Sequence, residues 1–205
     1  MHKGSLIVIS GPSGAGKGTV CAKVIERTGI RPSISVTTRP PREENGVPIE
    51  FDGVHYYFRT VEQYRQMIAE GAFLETAQVY SNMYGTPKAP VFENLEKGND
   101  VLLEVDIHGA KSIKTKYPDA VCIFIMTPDF ETLENRLRSR GTESESAINT
   151  RLNAARHELG KYEMFDYIVF NDEIDKAVER VVEIIDAEKS RIKNNEAVIK
   201  KLLGK

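Results

Sequence analysis

A chain of 205 residues, 40% apolar and 28% charged, has ordinary soluble composition and enough material for one sizeable core carrying insertions. Its 28 basic and 30 acidic side chains leave a net charge of −2, which excludes the strongly basic field of proteins that coat nucleic acid or anionic membrane. Any anion must therefore be gripped locally. No window approaches the roughly 20 apolar residues that span a bilayer, and the opening apolar run is too short for a signal-peptide core.

The first predicted strand is SLIVIS (5–10), followed by a helix from about Lys17 to Arg27. Between them stands GPSGAGKGT (11–19), and this strand–loop–helix setting turns a GxxxxGK text match into a phosphate-binding loop. Gly11, Pro12, Ser13, Gly14, Ala15, Gly16, Gly18 and Thr19 let several N–H groups converge, and the helix adds its positive end. Lys17 supplies a point charge for terminal phosphates, so a polyphosphate is the expected guest. Gly18 occupies the position where a Ser or Thr hydroxyl usually touches magnesium. No direct protein ligand for the metal is therefore assigned, and Mg2+ is expected through the bound phosphates and water.

Residues 33–87 break the alternation of strands and helices and lack the apolar content for a sizeable core of their own. Within them, Arg39 and Arg42 stand three apart in a Pro-punctuated, non-helical segment, so both guanidinium groups can converge on one dianion, with Tyr56 and Tyr84 as phenolic donors. For two arginines taken alone, a basic surface stretch is the better reading.

Strand-like runs return at 100–106 (DVLLEVD) and 120–126 (AVCIFIM), with a helix through Lys111 between them, giving βαβ order. Continuous apolar runs imply burial on both faces, hence a parallel sheet between helical layers. Residues 127–160 form a second, charged helical insertion. There Arg136 and Arg140 are like-charged i,i+4 neighbours, an arrangement that favours a bound anion, although a solvated charged helix also fits. DYIVFND (166–172) is a further strand, and Ile174, Ala177, Val178, Val181, Val182 and Ile185 mark the apolar face of a closing helix. Residues 190–205, with five basic and one acidic side chain, read as a solvated helical tail. Cys21 and Cys122 lie in apolar segments without metal-like spacing, which indicates buried reduced thiols and a cytoplasmic setting.

Taken together, GPSGAGKGT (11–19), SVTTRPPR (35–42), YYF (56–58), FLETAQVYSNMYGTP (73–87), LEVDIHGA (103–110), RLRSRGTES (136–144) and IVFND (168–172) make the chain resemble the guanylate kinases over residues 4–188. The resemblance implies an α/β P-loop NTPase fold: a three-layer core with a parallel sheet (4–32, 88–126 and 161–188), a GMP-binding insertion (33–87), a mobile lid (127–160) and the basic tail (189–205). It implies transfer of the γ-phosphoryl of ATP to GMP, and to dGMP, giving GDP and ADP in purine nucleotide metabolism. By the same resemblance, Arg39, Arg42, Tyr56 and Tyr84 hold the acceptor's phosphate, and Ser35, Glu75, Thr86 and Asp106 surround its guanine. Arg136, Arg140 and Arg151 act with Lys17 and Arg42 on the group in flight, and Asn171 contacts the donor's adenine. Independently, an ionised carboxylate can accept both the ring N–H and the exocyclic amine of guanine, whereas adenine presents a bare nitrogen there.

Two departures from the family pattern stand out. The stretch between Arg42 and Tyr56 is about five residues longer than the family's spacing, and His108, expected to be structural, stands where a glutamine is common. Two rivals follow from the same residues: a small kinase for AMP or a sugar phosphate, and a catalytically inert interaction module, against which the intact phosphate loop counts. GMP and ATP are thus the expected partners, without nucleic acid or membrane, and a homodimer or higher homo-oligomer is left open.

Overall fold

The computed structural model describes residues 3–44, 46–79, 81–139 and 145–204. Its central strand is β1 (Leu6–Ser10), buried at every residue, as the unbroken apolar run predicts. Strand β1 runs parallel to β9 (Val101–Glu104) on one side and β10 (Val121–Met126) on the other, with Val8 opposite both Leu103 and Cys122. The outer strands β2 (Arg31–Pro32) and β11 (Tyr167–Phe170) complete a five-stranded parallel sheet of order β11-β10-β1-β9-β2. Parallel register aligns the carboxyl ends of β1, β9 and β10 along one edge, the place where open α/β sheets bind ligands.

One face of the sheet is covered by α1 (Lys17–Thr28) and α7 (Ile174–Lys189), whose Val20, Val24, Val178 and Val181 pack against Ile7, Ile9 and Ile123. Of the closing helix's expected face, Ile174 and Val182 are only partly buried, and Ile184 joins the core instead. On the other face lie α3 (Lys88–Glu96) and α4 (Ile107–Lys116), which contribute Val91, Leu95, Ala110 and Ile113. The result is a three-layer α/β arrangement. The strand expected over 100–106 stops at Glu104, because Asp106 caps α4: its Oδ1 accepts the Gly109 N–H at 2.7 Å.

Residues 33–87 build a second, mixed sheet of order β6-β3-β8-β7, from β3 (Val36–Thr37), β6 (Tyr57–Phe58), β7 (Phe73–Val79) and β8 (Asn82–Pro87). Helix α2 (Val61–Ala69), started by a Thr60–Gln63 capping box, packs on it through Tyr64, which stacks on Phe73 at 4.9 Å. Val36, Tyr64 and Phe73 are the buried members of this small core, so the sheet leans on the larger body for support. The long stretch before Tyr56 forms a hairpin, β4 (Glu43–Glu44) with β5 (Val47–Pro48), turned at Gly46 with φ +77°.

Residues 127–160 supply α5 (Phe130–Arg138) and α6 (Glu145–Leu159), whose Leu133, Leu137, Ile148 and Leu152 pack together over Phe124 and Met126 at the end of β10. Beyond α7, helix α8 (Ile192–Leu202) leaves Ile192, Val198 and Leu202 exposed, while Lys193 reaches back to Asp119 at 2.8 Å. Both cysteines are buried free thiols. Among the described residues no helix is long and apolar enough to cross a membrane.

Candidate active site

The phosphate-loop motif leaves the end of β1 and wraps into α1. Gly11 has φ +146°, and a Cβ there would stand 2.0 Å from the Ile125 carbonyl oxygen of the neighbouring strand. Gly16, at φ +89°, would press a Cβ to 2.4 Å from Asn171 Nδ2. Both positions demand glycine for space as well as dihedral. Gly18 does not: a Cβ there would meet only the Glu104 carboxylate, at 3.7 and 3.9 Å. No side chain caps α1, so its leading N–H groups are left to the exposed Gly18 and Thr19 end of the helix. Lys17 folds back over the loop, its Nζ donating to the carbonyls of Gly11 (2.5 Å) and Pro12 (3.1 Å). Burial pushes the Lys17 ammonium below its ordinary pKa, and the charges of Glu104, Glu158 and Asp106 oppose that shift.

A cavity of about 530 Å³ opens beside this lysine. Its lining joins Lys17, Glu104 and Asp106 at the sheet edge to Ser35, Tyr56, Glu75 and Tyr84 on the second sheet. Position 75 alternates onto the inner face of β7, and Glu75 is only 5% exposed, so the carboxylate belongs to this cavity and not to bulk solvent. Thr86 Oγ1, across the strand pair, donates to Glu75 Oε1 at 2.6 Å. Burial raises the Glu75 pKa, while the Thr86 bond and the Lys116 charge favour the ionised form and Asp106 disfavours it. Thr86, expected beside the base, is itself buried, and its hydroxyl orients the Glu75 carboxylate.

At the other end of the second sheet, the Arg39 guanidinium lies 5.6 Å from the Tyr56 ring centre, and the Tyr56 and Tyr84 rings meet edge-on at 6.0 Å. Arg42 is exposed, and neither arginine is part of the cavity lining. The longer stretch before Tyr56 therefore does not carry that tyrosine away from its expected neighbours. It brings in Glu50, whose two oxygens accept from Arg39 Nη2 at 2.9 and 2.8 Å.

The helical insertion reaches the loop from above: Arg151 Nη1 donates to Ser13 Oγ at 2.8 Å. Arg136 Nη2 donates to the carbonyls of Asn171 (2.9 Å) and Asp172 (3.3 Å), which places it beside Gly16. Arg140 lies outside the described residues. Asn171, expected at the donor's adenine, is 2% exposed, and its Nδ2 donates to the Ala15 carbonyl at 2.8 Å. It braces the loop from behind. His108, expected to be structural, is exposed on the first turn of α4.

Sequence reasoning did not single out Glu50, Glu104 or Glu158. Glu104 carries a positional signal, as the last residue of a buried strand beside the loop; Glu158 carries none, because Lys17 is remote in the chain, and Glu50 none, because its pairing depends on the path of the hairpin between it and the arginines. Glu104, whose carboxylate faces Gly18 at the start of α1, and Asp106 on the same cavity lining offer the oxygen donors that a hard divalent cation takes.

Residues 3–188 match the family model described as guanylate kinase. A guanylate kinase of Caldanaerobacter subterraneus subsp. tengcongensis is 50% identical over 201 residues, covering 98% of this chain and 95% of that protein. One from Carboxydothermus hydrogenoformans is 48% identical, covering 94% and 93%. The crystal structure of guanylate kinase from Anaplasma phagocytophilum superposes with a TM-score of 0.73 at 32% identity, covering 93% of this chain and 89% of that one.

Proposed function

The chain belongs to the guanylate kinase family, and from that premise we propose that it transfers the γ-phosphoryl group of ATP to GMP, and to dGMP, giving ADP and GDP. The observation that carries this reading is one cavity lined by Lys17 at one end and the buried Glu75 at the other. A phosphate-loop lysine and a purine-reading carboxylate facing one space can hold a donor and an acceptor within reach of each other.

In this reading the core residues 4–32, 88–126 and 161–188 carry the donor, 33–87 the acceptor, and 127–160 close over both. The donor's phosphates rest on the amides of residues 14–19 with Lys17 on the terminal groups. Ionised Glu75, oriented by Thr86, accepts the ring N–H and exocyclic amine of guanine, with Ser35 and Asp106 beside it; adenine would face it lone pair to lone pair. Arg39, Arg42, Tyr56 and Tyr84 take the acceptor's phosphate. Phosphoryl transfer spreads charge over the equatorial oxygens of the moving group, so positioned guanidinium groups stabilise it without a protein nucleophile. Arg151, already joined to Ser13, and Arg136, beside Gly16, stand where they can do this, and the family resemblance gives Arg140 the same role. Closure expels water and suppresses hydrolysis of ATP. Glu104 and Asp106 would hold Mg2+ through water, which when bound neutralises charge on the donor's phosphates.

Thermal-shift comparison of GMP, dGMP, AMP and ribose phosphates tests the assignment. Stabilisation by the two guanine nucleotides alone is expected, and stabilisation by AMP without GMP would refute the role of Glu75.

A further inference from the structure

We infer that Glu50 is a positioning residue for the acceptor's phosphate, holding Arg39 and the main chain of Arg42 as one preformed clamp. This rests on the reading of the site given above. The Glu50 carboxylate collects three hydrogen bonds: two from Arg39 Nη2, and one from the Arg42 backbone N–H at 2.8 Å. The Arg42 carbonyl in turn accepts the Ile49 N–H at 3.0 Å, so the residues flanking the β4–β5 hairpin fasten the segment carrying both arginines. The Arg39 and Glu50 side chains are 16% and 11% exposed, so the pair is sheltered from the screening that weakens surface ion pairs.

The direction of approach matters. Tyr56 and Tyr84 line the cavity, and Arg39 and Glu50 both lie outside its lining, with Arg39 the nearer to the tyrosines. Arg39 lies against the Tyr56 ring, and the Tyr84 hydroxyl also bears on it, so its guanidinium stands between Glu50 and the cavity tyrosines. A guanidinium has five N–H donors. Two are spent on Glu50 and one of Nη1 on the Pro40 carbonyl at 2.8 Å, which leaves Nε and the second Nη1 hydrogen for a phosphate or a tyrosine oxygen. Glu50 therefore does not compete for the phosphate. It removes the rotamer freedom that a long side chain would otherwise lose on binding, which is where preorganisation gains affinity. The extra residues before Tyr56 thus serve the site, because the hairpin they form delivers this carboxylate behind the arginines.

Glu50→Ala and Glu50→Gln, each compared with wild type for binding of GMP, guanosine and AMP and for kcat and KM, test the role. Loss of a charge-assisted set is expected to weaken GMP about 10-fold in Glu50→Ala, and less in the isosteric Glu50→Gln. Guanosine, which lacks the phosphate, should bind all forms equally, and the change should fall on KM for GMP with kcat kept within about two-fold. Unchanged or tighter GMP binding in both variants overturns the role, as does guanosine affinity falling in step with GMP, which marks a merely structural effect. Wild type that binds GMP no better than AMP would overturn the function and this role together. A GMP-preferring wild type whose variants hold GMP equally well would overturn the role alone.

Discussion

Replacing Glu75 by Gln changes one atom and the charge. The amide can still pair with Thr86, which bonds Glu75 Oε1 at 2.6 Å in the wild type. If its carbonyl takes the Thr86 proton, the NH2 faces two guanine donors; if it turns over, one carbonyl must serve both. Either way a charge-assisted pair is lost, and hydrogen bonds to charged groups contribute about 1.5–3 kcal/mol. The expected fall in kcat/KM for GMP is therefore about 10- to 100-fold. AMP should lose nothing, because the adenine ring nitrogen can accept from the new amide. Stability should move the other way. Burial raises the Glu75 pKa, so the ionised side chain costs folding free energy at neutral pH, and a neutral amide removes that cost. Coupled measurement of ADP formation against GMP and AMP, together with a thermal melt, separates the two effects. A variant within about two-fold of wild type on GMP, or one that loses activity only because it melts earlier, would refute the reasoning.

Further outcomes follow from the same geometry. Lys17→Ala should lower kcat by about 10² or more in steady-state assays, as removal of a transition-state charge partner does. Gly18→Ser should keep the wild-type thermal midpoint and activity, since its Cβ has room, whereas Gly16→Ala should lower the melting temperature and weaken ATP, because φ +89° and Asn171 both oppose a side chain. Asn171→Ala should cost about 1 kcal/mol or more in denaturant unfolding and raise KM for ATP, with GMP affinity unchanged, as the Ala15 carbonyl loses its buried donor. Guanosine affinity should fall on acidification, beginning above the ordinary glutamate value of 4.5, because Glu75 must be ionised to accept and its pKa is raised. Guanosine carries no phosphate of its own to titrate, and the dependence should vanish in Glu75→Gln.

What could be read from the chain was what local spacing determines. Glycine at positions 11 and 16 follows from the loop's own geometry, and the buried strands announce themselves as unbroken apolar runs because a parallel sheet covers both faces. Glu75 was legible through its motif, and its carboxylate lines the cavity with Thr86 bonded to it. What stayed hidden depends on partners distant in sequence. Asn171 reaches a carbonyl 156 positions away, so nothing near it reveals that it braces the loop. The Glu50–Arg39 pair depends on the path of a hairpin whose extra length was visible and whose course was not. Gly18 shows the opposite error: it sits among constrained glycines without being constrained itself.

The most direct test of a phosphate loop and a purine-reading carboxylate sharing one cavity is the ratio of kcat/KM for GMP to that for AMP, with ATP as donor. A site that leaves adenine facing Glu75 without a partner should give a ratio on the order of 10⁴. Comparable rates on the two nucleotides would show that Glu75 does not read the base.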